Sequence, residues 1–353
     1  MGGIRELGVA LGRLPPGSHN AITDVPGVLV GHSTLIVDQP RTLRTGITVV
    51  YPRVDIWTDY AACGWFNLNG NGEMTGIPWI EESGLLGSPI GLTNTHQVGL
   101  VRDTMVKFAV ESGVLDGFML PVVAETYDGW LSDIDAFALG EEHAREALAD
   151  ARPGEVAEGN VGGGTGMICH EFKGGIGTSS RVVDAAMHTY TVGVLVQANY
   201  GSRGDLRVDG IPVGRHIGYE EVPSPWEQER SQGSIIIVVA TDAPLISDQC
   251  RRLARRAAIG LAKVGGVAHN GSGDIFLAFS TANHHPQGHL GAYQLKSLPP
   301  DHLDALFAAV IAATEEAILN ALCAAETMTG FKGRIAHALP LERVGELLET
   351  YRR

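Results

Sequence analysis

Short runs of β-branched and aliphatic residues recur along the chain. GVLVGH lies near residue 27, GITVVYP near 46, FMLPVVAE near 118, and TVGVLVQAN ends at Asn199. SIIIVVATD then opens at Ser234, and DIFLAFST covers 274–281. Several of these are apolar at consecutive positions, the pattern of strands covered on both faces. Helical spacing falls between them. Ser247 can cap a helix that places Leu253, Ala257, Leu261 and Val264 on one face and keeps most of its arginines off that face. Leu303, Leu306, Val310, Ala317 and Leu322 outline a longer helix ending before Gly330, and two more helices are predicted over 99–112 and Ile134–Leu148. The order is not regular βαβ, which points to a layered α/β sandwich rather than a Rossmann sheet.

One stretch breaks the pattern. From Gly201 to Gly233 the chain is charged, carries Pro212, Pro223 and Pro225, and shows no sustained period. It reads as a long surface loop that delivers the chain to the strand at Ser234, and such loops inside compact domains are usually functional. The 46 glycines among 353 residues are about twice the ordinary share of roughly 7%, which implies many tight turns and close backbone approaches. A formal net charge of −14 repels phosphate backbones and anionic lipid, so neither nucleic acid nor a membrane surface is expected as a partner. Cys63, Cys169, Cys250 and Cys323 have no C-x-x-C spacing and read as buried, reduced thiols. The start shows no secretory pattern and no stretch reads as a membrane span, so a cytoplasmic enzyme is expected.

Four constellations can carry chemistry. Gln232-Gly233-Ser234 stands directly before an apolar strand. Attack of a serine hydroxyl on the carbonyl before it would make an ester by N→O acyl shift. Hydrolysis of that ester would leave Ser234 as an N-terminus, with an α-amine of pKa about 8 able to take the hydroxyl proton. The same residues also make an ordinary turn. In His269-Asn270-Gly271-Ser272-Gly273-Asp274, Ser272 and Asp274 are two apart, so on a strand they share a face and can hold an α-ammonium group; a polar turn is the simpler alternative. Gly159–Met167 lacks the Lys and Ser/Thr that close a phosphate loop. It reads instead as a pocket wall where backbone runs close to the scissile bond, with Lys173 nearby as a fixed positive charge. Glu125-Thr126-Tyr127 and Gln197-Ala198-Asn199 end two strands, where donors for an oxyanion are commonly built. His284, His285 and His289 lie in a Pro- and Gly-bearing stretch without matching carboxylates and read as a surface loop, so no metal site and no cofactor are expected.

Taken in order, NAITDVPGVLVGHSTL, GLTNTHQVG, PVVAETYDGWLSD, GNVGGGTGMICHEFKGGIGTSSR, LVQANYG, GSIIIVVATDAPL and HNGSGDIFLAFSTAN resemble the L-aminopeptidase D-esterase/amidase family. That family includes the β-peptidyl aminopeptidases and relatives that hydrolyse nylon oligomers. The resemblance spans nearly the whole chain. It implies an αββα four-layer sandwich like that of the N-terminal-nucleophile hydrolases, built as a single catalytic domain over 1–353. It implies self-cleavage between Gly233 and Ser234 into an α chain of 1–233 and a β chain of 234–353. It places Ser234 as nucleophile, Ser272 and Asp274 on the nucleophile's amine, and Asn199 and Tyr127 as oxyanion donors. Glu125 would face the substrate's free amino group, and Lys173 would also bind the substrate. Several members of the family carry Glu where this chain has Asp274. The implied activity is removal of N-terminal L-, D- or β-amino acids from short peptides, amides or esters by a tetramer of αβ units. The alternatives are a self-processing N-acyltransferase of the ornithine acetyltransferase type, which would start its β chain with Thr, and a nylon-oligomer-type amide hydrolase.

Overall fold

The computed structural model describes residues 3–115, 117–226 and 233–352. Along the chain, β1 (Leu29–Val37) and β2 (Leu43–Tyr51) form an antiparallel hairpin, and β3 (Asp59–Gly70) leaves for a second sheet. Helix α1 (Ile77–Ser83) leads to the short β4 (Leu85–Leu86), then β5 (Ile90–Asn94), α2 (Val98–Glu111), β6 (Val122–Thr126) and α3 (Glu141–Ala149). A two-stranded ribbon, β7 (Ile168–Cys169) and β8 (Phe172–Lys173), precedes the long pair β9 (Gly175–Ala185) and β10 (His188–Asn199). The chain then runs through β11 (Ser234–Thr241), α4 (Ser247–Val264), β12 (Gly273–Pro286) and α5 (Leu303–Ala324). It ends with the ribbon β13 (Met328–Thr329) and β14 (Ile335–Ala336) and with α6 (Leu341–Arg352).

The two main sheets have the orders β1-β2-β5-β6 and β4-β3-β12-β11-β10-β9. Helices α2 and α3 cover the outer face of the first, and α4 and α5 cover the outer face of the second. This is the expected αββα sandwich. The consecutive apolar runs follow from it. In β11, Ile236, Val238 and Ala240 pack between the sheets with Val30, Val50 and Leu92, whereas Ile235, Ile237 and Val239 pack under α4 and α5 with Leu253, Leu261 and Val310. Both faces are dry, so the period-two alternation is lost.

Four local readings need correction. The helix predicted over Ile134–Leu148 is a short 3-10 turn at Ile134–Ala136 followed by α3 from Glu141, because Phe137 takes a left-handed conformation that no α-helix can continue. Residues 201–226 are not a mere surface loop: Leu206, Val208, Val213 and Ile217 are buried in the helix-side core. Their apolar spacing follows two 3-10 turns and so has no helix or strand period. Gln232 lies outside the described residues. His284 and His285 belong to β12, where Asp59 binds the His284 ring and accepts from the His285 N–H at 2.7 Å. Finally, α5 is long and apolar enough to cross a membrane. It is instead the central core helix, packed on β9 and β10.

A buried ion pair ties α5 to the sheet. Arg181 of β9 and Glu316 of α5 are both fully buried and meet at 2.5 Å. Glu316 also accepts from Arg5 at 2.6 and 2.9 Å and from Asn20 at 2.6 Å, which docks the N-terminal segment. Removing one partner of such a pair leaves an uncompensated charge, at a cost of about 3–5 kcal/mol. Glu316→Ala is expected to lower the unfolding free energy by that order, seen as a lower urea midpoint. An unchanged midpoint would mean that Arg181 is matched by other groups.

Candidate active site

The site lies where β10, β11 and β12 run side by side. In this ladder Asn199 is paired with Ser234, and Ser234 with Gly273, so the three residues form one row across the sheet. Partners in a row share a face, and this is the face that looks toward the other sheet. The Ser234 hydroxyl oxygen accepts the Gly273 N–H at 3.1 Å. Gly233, just before the strand, packs so closely on the Asn199–Tyr200 backbone that a Cβ would overlap the Asn199 carbonyl oxygen. No other residue fits there without moving the strand.

A cavity of about 360 Å³ opens above the row. Ser234, Gly233 and Asn199 form one side; Thr95, Glu125 and Tyr127, from the ends of β5 and β6, form another. Trp130, Ile168 and Trp226 supply an apolar wall, and the two indoles meet edge to face at 4.7 Å. The Asn199 side chain is held at both ends: its Nδ2 donates to the Tyr127 carbonyl at 3.1 Å and its Oδ1 accepts from the Ile168 N–H at 2.8 Å. A primary amide has two N–H bonds; among the described residues only one of them has a partner, and Asn199 lines the cavity. The Tyr127 ring is half-exposed and lines the same space.

Glu125 is buried, and both of its oxygens are engaged. The Thr95 hydroxyl donates to one, and the Glu73 N–H donates to the other at 3.1 Å. Burial still holds its carboxyl above the usual range. Ser272 and Asp274 share a face as expected, with the serine hydroxyl donating to the carboxylate at 2.7 Å. Asp274 is almost wholly buried, and burial raises its pKa against the opposing hydrogen bond from Ser272.

Lys173 departs from its expected place. It does not line the cavity, and its side chain is fully buried behind the Gly-rich loop. There Nζ donates to the carbonyls of Met167 (2.9 Å), Gly174 (2.7 Å) and Gly164 (3.3 Å). It holds the wall of the pocket rather than the substrate. Burial also pushes its pKa down to about 7, so its charge is not fixed. The loop itself is no phosphate cradle. A Cβ on Gly162, Gly163 or Gly164 would strike Thr48, Gln197 or Ile176, so these glycines let the loop pack between the sheets. Among the described residues, no three His, Cys, Asp or Glu side chains group as metal ligands.

The match to known proteins agrees with this geometry. A model of peptidase family S58 matches residues 20–336. The chain belongs to this family. A beta-peptidyl aminopeptidase of Sphingosinicella microcystinivorans is 46% identical, over 99% of this chain and 92% of its own. Among solved structures, a Burkholderia sp. beta-aminopeptidase is 48% identical with a TM-score of 0.92, covering 99% of this chain and 98% of its own. The L-aminopeptidase D-Ala-esterase/amidase of Ochrobactrum anthropi is 42% identical with a TM-score of 0.93, covering 100% and 99%; it is described as a prototype of the serine aminopeptidases and a variant of the Ntn hydrolase fold. The chain is thus a peptidase of the serine aminopeptidase/amidase kind, with the Ntn-hydrolase sandwich. An S58 assignment over most of the chain favours the hydrolase over the acyltransferase alternative.

Asn71, Thr95, Ile168 and Trp226 line the cavity but escaped the residue-by-residue reading. Thr95 sits beside a signal that was available, Asn94, whose side chain caps the turn at Thr95–Gln97. Ile168 and Trp226 carry no local signal, since each becomes a cavity residue only through long-range packing.

The buried Lys173 gives a test of stability against pH. Its pKa in the unfolded chain is about 10.4, against about 7 when folded. Between these values the unfolded state binds more protons, so the destabilising burial of the charge is relieved as pH rises through that window. Relative to Lys173→Met, the wild type is expected to gain up to about 1.4 kcal/mol per pH unit there. Urea midpoints of both chains at several pH values check this; parallel pH curves would refute it.

Proposed function

We propose that the family reaction runs through Ser234 after the chain has cut itself. The Ser234 hydroxyl attacks the Gly233 carbonyl carbon. The C–N bond then breaks to leave an ester and a free α-amine, and water hydrolyses the ester to give 1–233 and 234–353. The mature Ser234 is then both nucleophile and base. Its hydroxyl attacks the substrate carbonyl while its own α-amine takes the proton and passes it to the leaving amine; water releases the acyl group. The observation that carries this reading is the row Asn199–Ser234–Gly273. It sets the hydroxyl on the floor of the cavity next to an amide with a spare N–H, directly after a glycine that no other residue could replace.

In this reading Asn199, with the Tyr127 hydroxyl as second donor, receives the charge that develops on the carbonyl oxygen. Ser272 and Asp274 hold the nucleophile's amine from the buried side. Glu125 binds the substrate's ammonium group, which restricts the enzyme to residues with a free amine. The apolar wall of Trp130, Ile168 and Trp226 receives the side chain of that residue. Short β-aminoacyl peptides and amides are the proposed substrates, because a beta-peptidyl aminopeptidase and a beta-aminopeptidase are 46% and 48% identical to this chain. A cytoplasmic tetramer of αβ units is the proposed working form.

Intact-mass analysis tests the first step. Fresh protein should give two fragments with the boundary at 233/234, and Ser234→Ala should remain one inactive chain. A fully active enzyme that stays uncut would refute the mechanism.

Site variants divide the remaining roles. Asn199→Ala, assayed after its cleavage is verified, should lose about 10²–10³ in kcat, since one oxyanion donor is worth roughly 2.7–4 kcal/mol. Glu125→Gln should act mainly on KM for substrates with a free amine, because that charge is present before the transition state. If Asn199→Ala changes KM alone, it binds substrate and the donors lie elsewhere.

A further inference from the structure

Lys173 reaches the site through a single peptide group. Its Nζ donates to the carbonyl of Met167 at 2.9 Å, and the N–H at the other end of the same peptide unit, on Ile168, donates to Asn199 Oδ1 at 2.8 Å. A trans peptide points its C=O and N–H in opposite directions. Lys173, together with the Gly174 N–H that donates to the same carbonyl at 2.9 Å, therefore holds one end of a rigid plane whose other end is held by Asn199. The far end of the Asn199 amide donates to the Tyr127 carbonyl at 3.1 Å, which completes a line of hydrogen bonds across the site.

We infer that Lys173 is a positioning residue for Asn199, acting through the Met167–Ile168 peptide to set the orientation and donor strength of the amide. The inference rests on the proposal that Asn199 receives the oxyanion. Two physical effects act together. The first is geometric. Lys173 also binds Gly164 and Gly174, at 3.3 and 2.7 Å, so it clamps the loop that leads to Ile168 at two carbonyls and ties it to the start of β9. A flipped or tilted 167–168 peptide would leave Asn199 Oδ1 without its donor, and the amide would be free to rotate. The second is electronic. An ammonium on the carbonyl polarises the peptide, strengthens the Ile168 N–H as a donor, and so makes the Asn199 N–H bonds more acidic, because chained hydrogen bonds in a low dielectric reinforce one another. The ion sits outside the substrate's space, so it stabilises a developing negative charge without blocking the cavity.

The pH dependence follows the same line. Lys173 faces the Cys169 thiol, and among the described residues no acidic side chain pairs with its Nζ. Deprotonation as pH rises through the neutral range removes the polarising charge but leaves two N–H bonds for the carbonyls.

The test uses Lys173→Met, which fills the space without a donor, and Lys173→Gln, which keeps a neutral donor. For matured enzyme, Lys173→Met is expected to lower kcat about ten-fold, the worth of a charge-assisted hydrogen bond, with KM little changed, and Lys173→Gln should recover part of the loss. In an Asn199→Ala background, Lys173→Met should cost no further kcat. A variant that folds but matures slowly is scored by its first-order rate of self-cleavage, with the same pattern expected. A Lys173→Met enzyme with wild-type kcat, or a full ten-fold loss that persists without Asn199, would overturn the inference. Should Lys173→Met not fold, Lys173→Gln with and without Asn199 decides by the same comparison. If Asn199→Ala itself keeps its kcat, the oxyanion proposal fails first. If Asn199→Ala is impaired and Lys173→Met is not, only the present inference falls.

Discussion

The ladder that sets β11 between antiparallel β10 and parallel β12 decides which groups can meet at Ser234. Side chains alternate along a strand, so a slip of one residue would turn Ser234 toward α4 and α5 and put Ile235 on the cavity side. The slip is resisted from both faces at once. Ile236, Val238 and Ala240 pack between the sheets and Ile235, Ile237 and Val239 under the helices, so a one-residue slip would exchange two sets of side chains packed against different neighbours. A catalytic hydroxyl at the end of a half-exposed strand would have no such anchor. The core thus positions Ser234 directly.

Close packing supplies the second constraint. Glycines at 233 and 273 allow neighbouring backbones to touch, and a Cβ at Gly72 would stand 3.2 Å from a Glu125 oxygen. Water is excluded from such contacts, and charges there interact far more strongly than in bulk solvent. The same exclusion makes every unmatched polar group costly. Glu125 answers with two donors, the Asn199 amide with one partner at each end, and Asp274 with Ser272. Burial still raises the pKa of both carboxyl groups. A cation placed beside either carboxylate would favour its ionised form and oppose that rise. A free amine on the substrate and the α-amine of an N-terminal serine are both cations of this kind.

Much of this was legible in the chain itself. Consecutive apolar residues at 235–239 and 275–279 marked strands buried on both faces, and the spacing of Ser272 and Asp274 gave their shared face without any structure. Strand ends at Glu125 and Asn199 marked where side chains could converge. What local pattern cannot carry is the partner across the fold. Lys173 looks like a free cation in sequence, and only the return of β8 behind the Gly-rich loop shows that its three partners are carbonyls. Residues 201–226 looked exposed because their apolar positions follow 3-10 turns, whose short lengths leave no periodic trace. Trp226 meets Trp130 across almost a hundred residues, a contact no window of sequence contains.

On the proposed reading, the first bond this enzyme breaks is one of its own, and that imposes an order on assembly. A hydroxyl that cuts its own chain needs oxyanion donors that are already oriented when folding ends, since no substrate is present to induce them. The observed arrangement meets that demand in the uncut chain: the Asn199 amide is fixed by Ile168 and Tyr127, and the Ser234 oxygen by Gly273. None of these contacts comes from an external ligand. Donors oriented during folding need little reorganisation when charge develops, which is the condition under which electrostatic stabilisation is most effective. The same requirement explains why the Gly-rich loop is clamped from behind by a buried cation instead of being left mobile at the mouth of the pocket. A loop that closed only on substrate would arrive too late for the first reaction. The amine-holding pair has the opposite timing. Until the cut, Ser234 has a peptide nitrogen and no amine, so Asp274 gains its cationic partner only afterwards. On this reading the new α-ammonium group would oppose the rise in the Asp274 pKa that burial causes in the uncut chain.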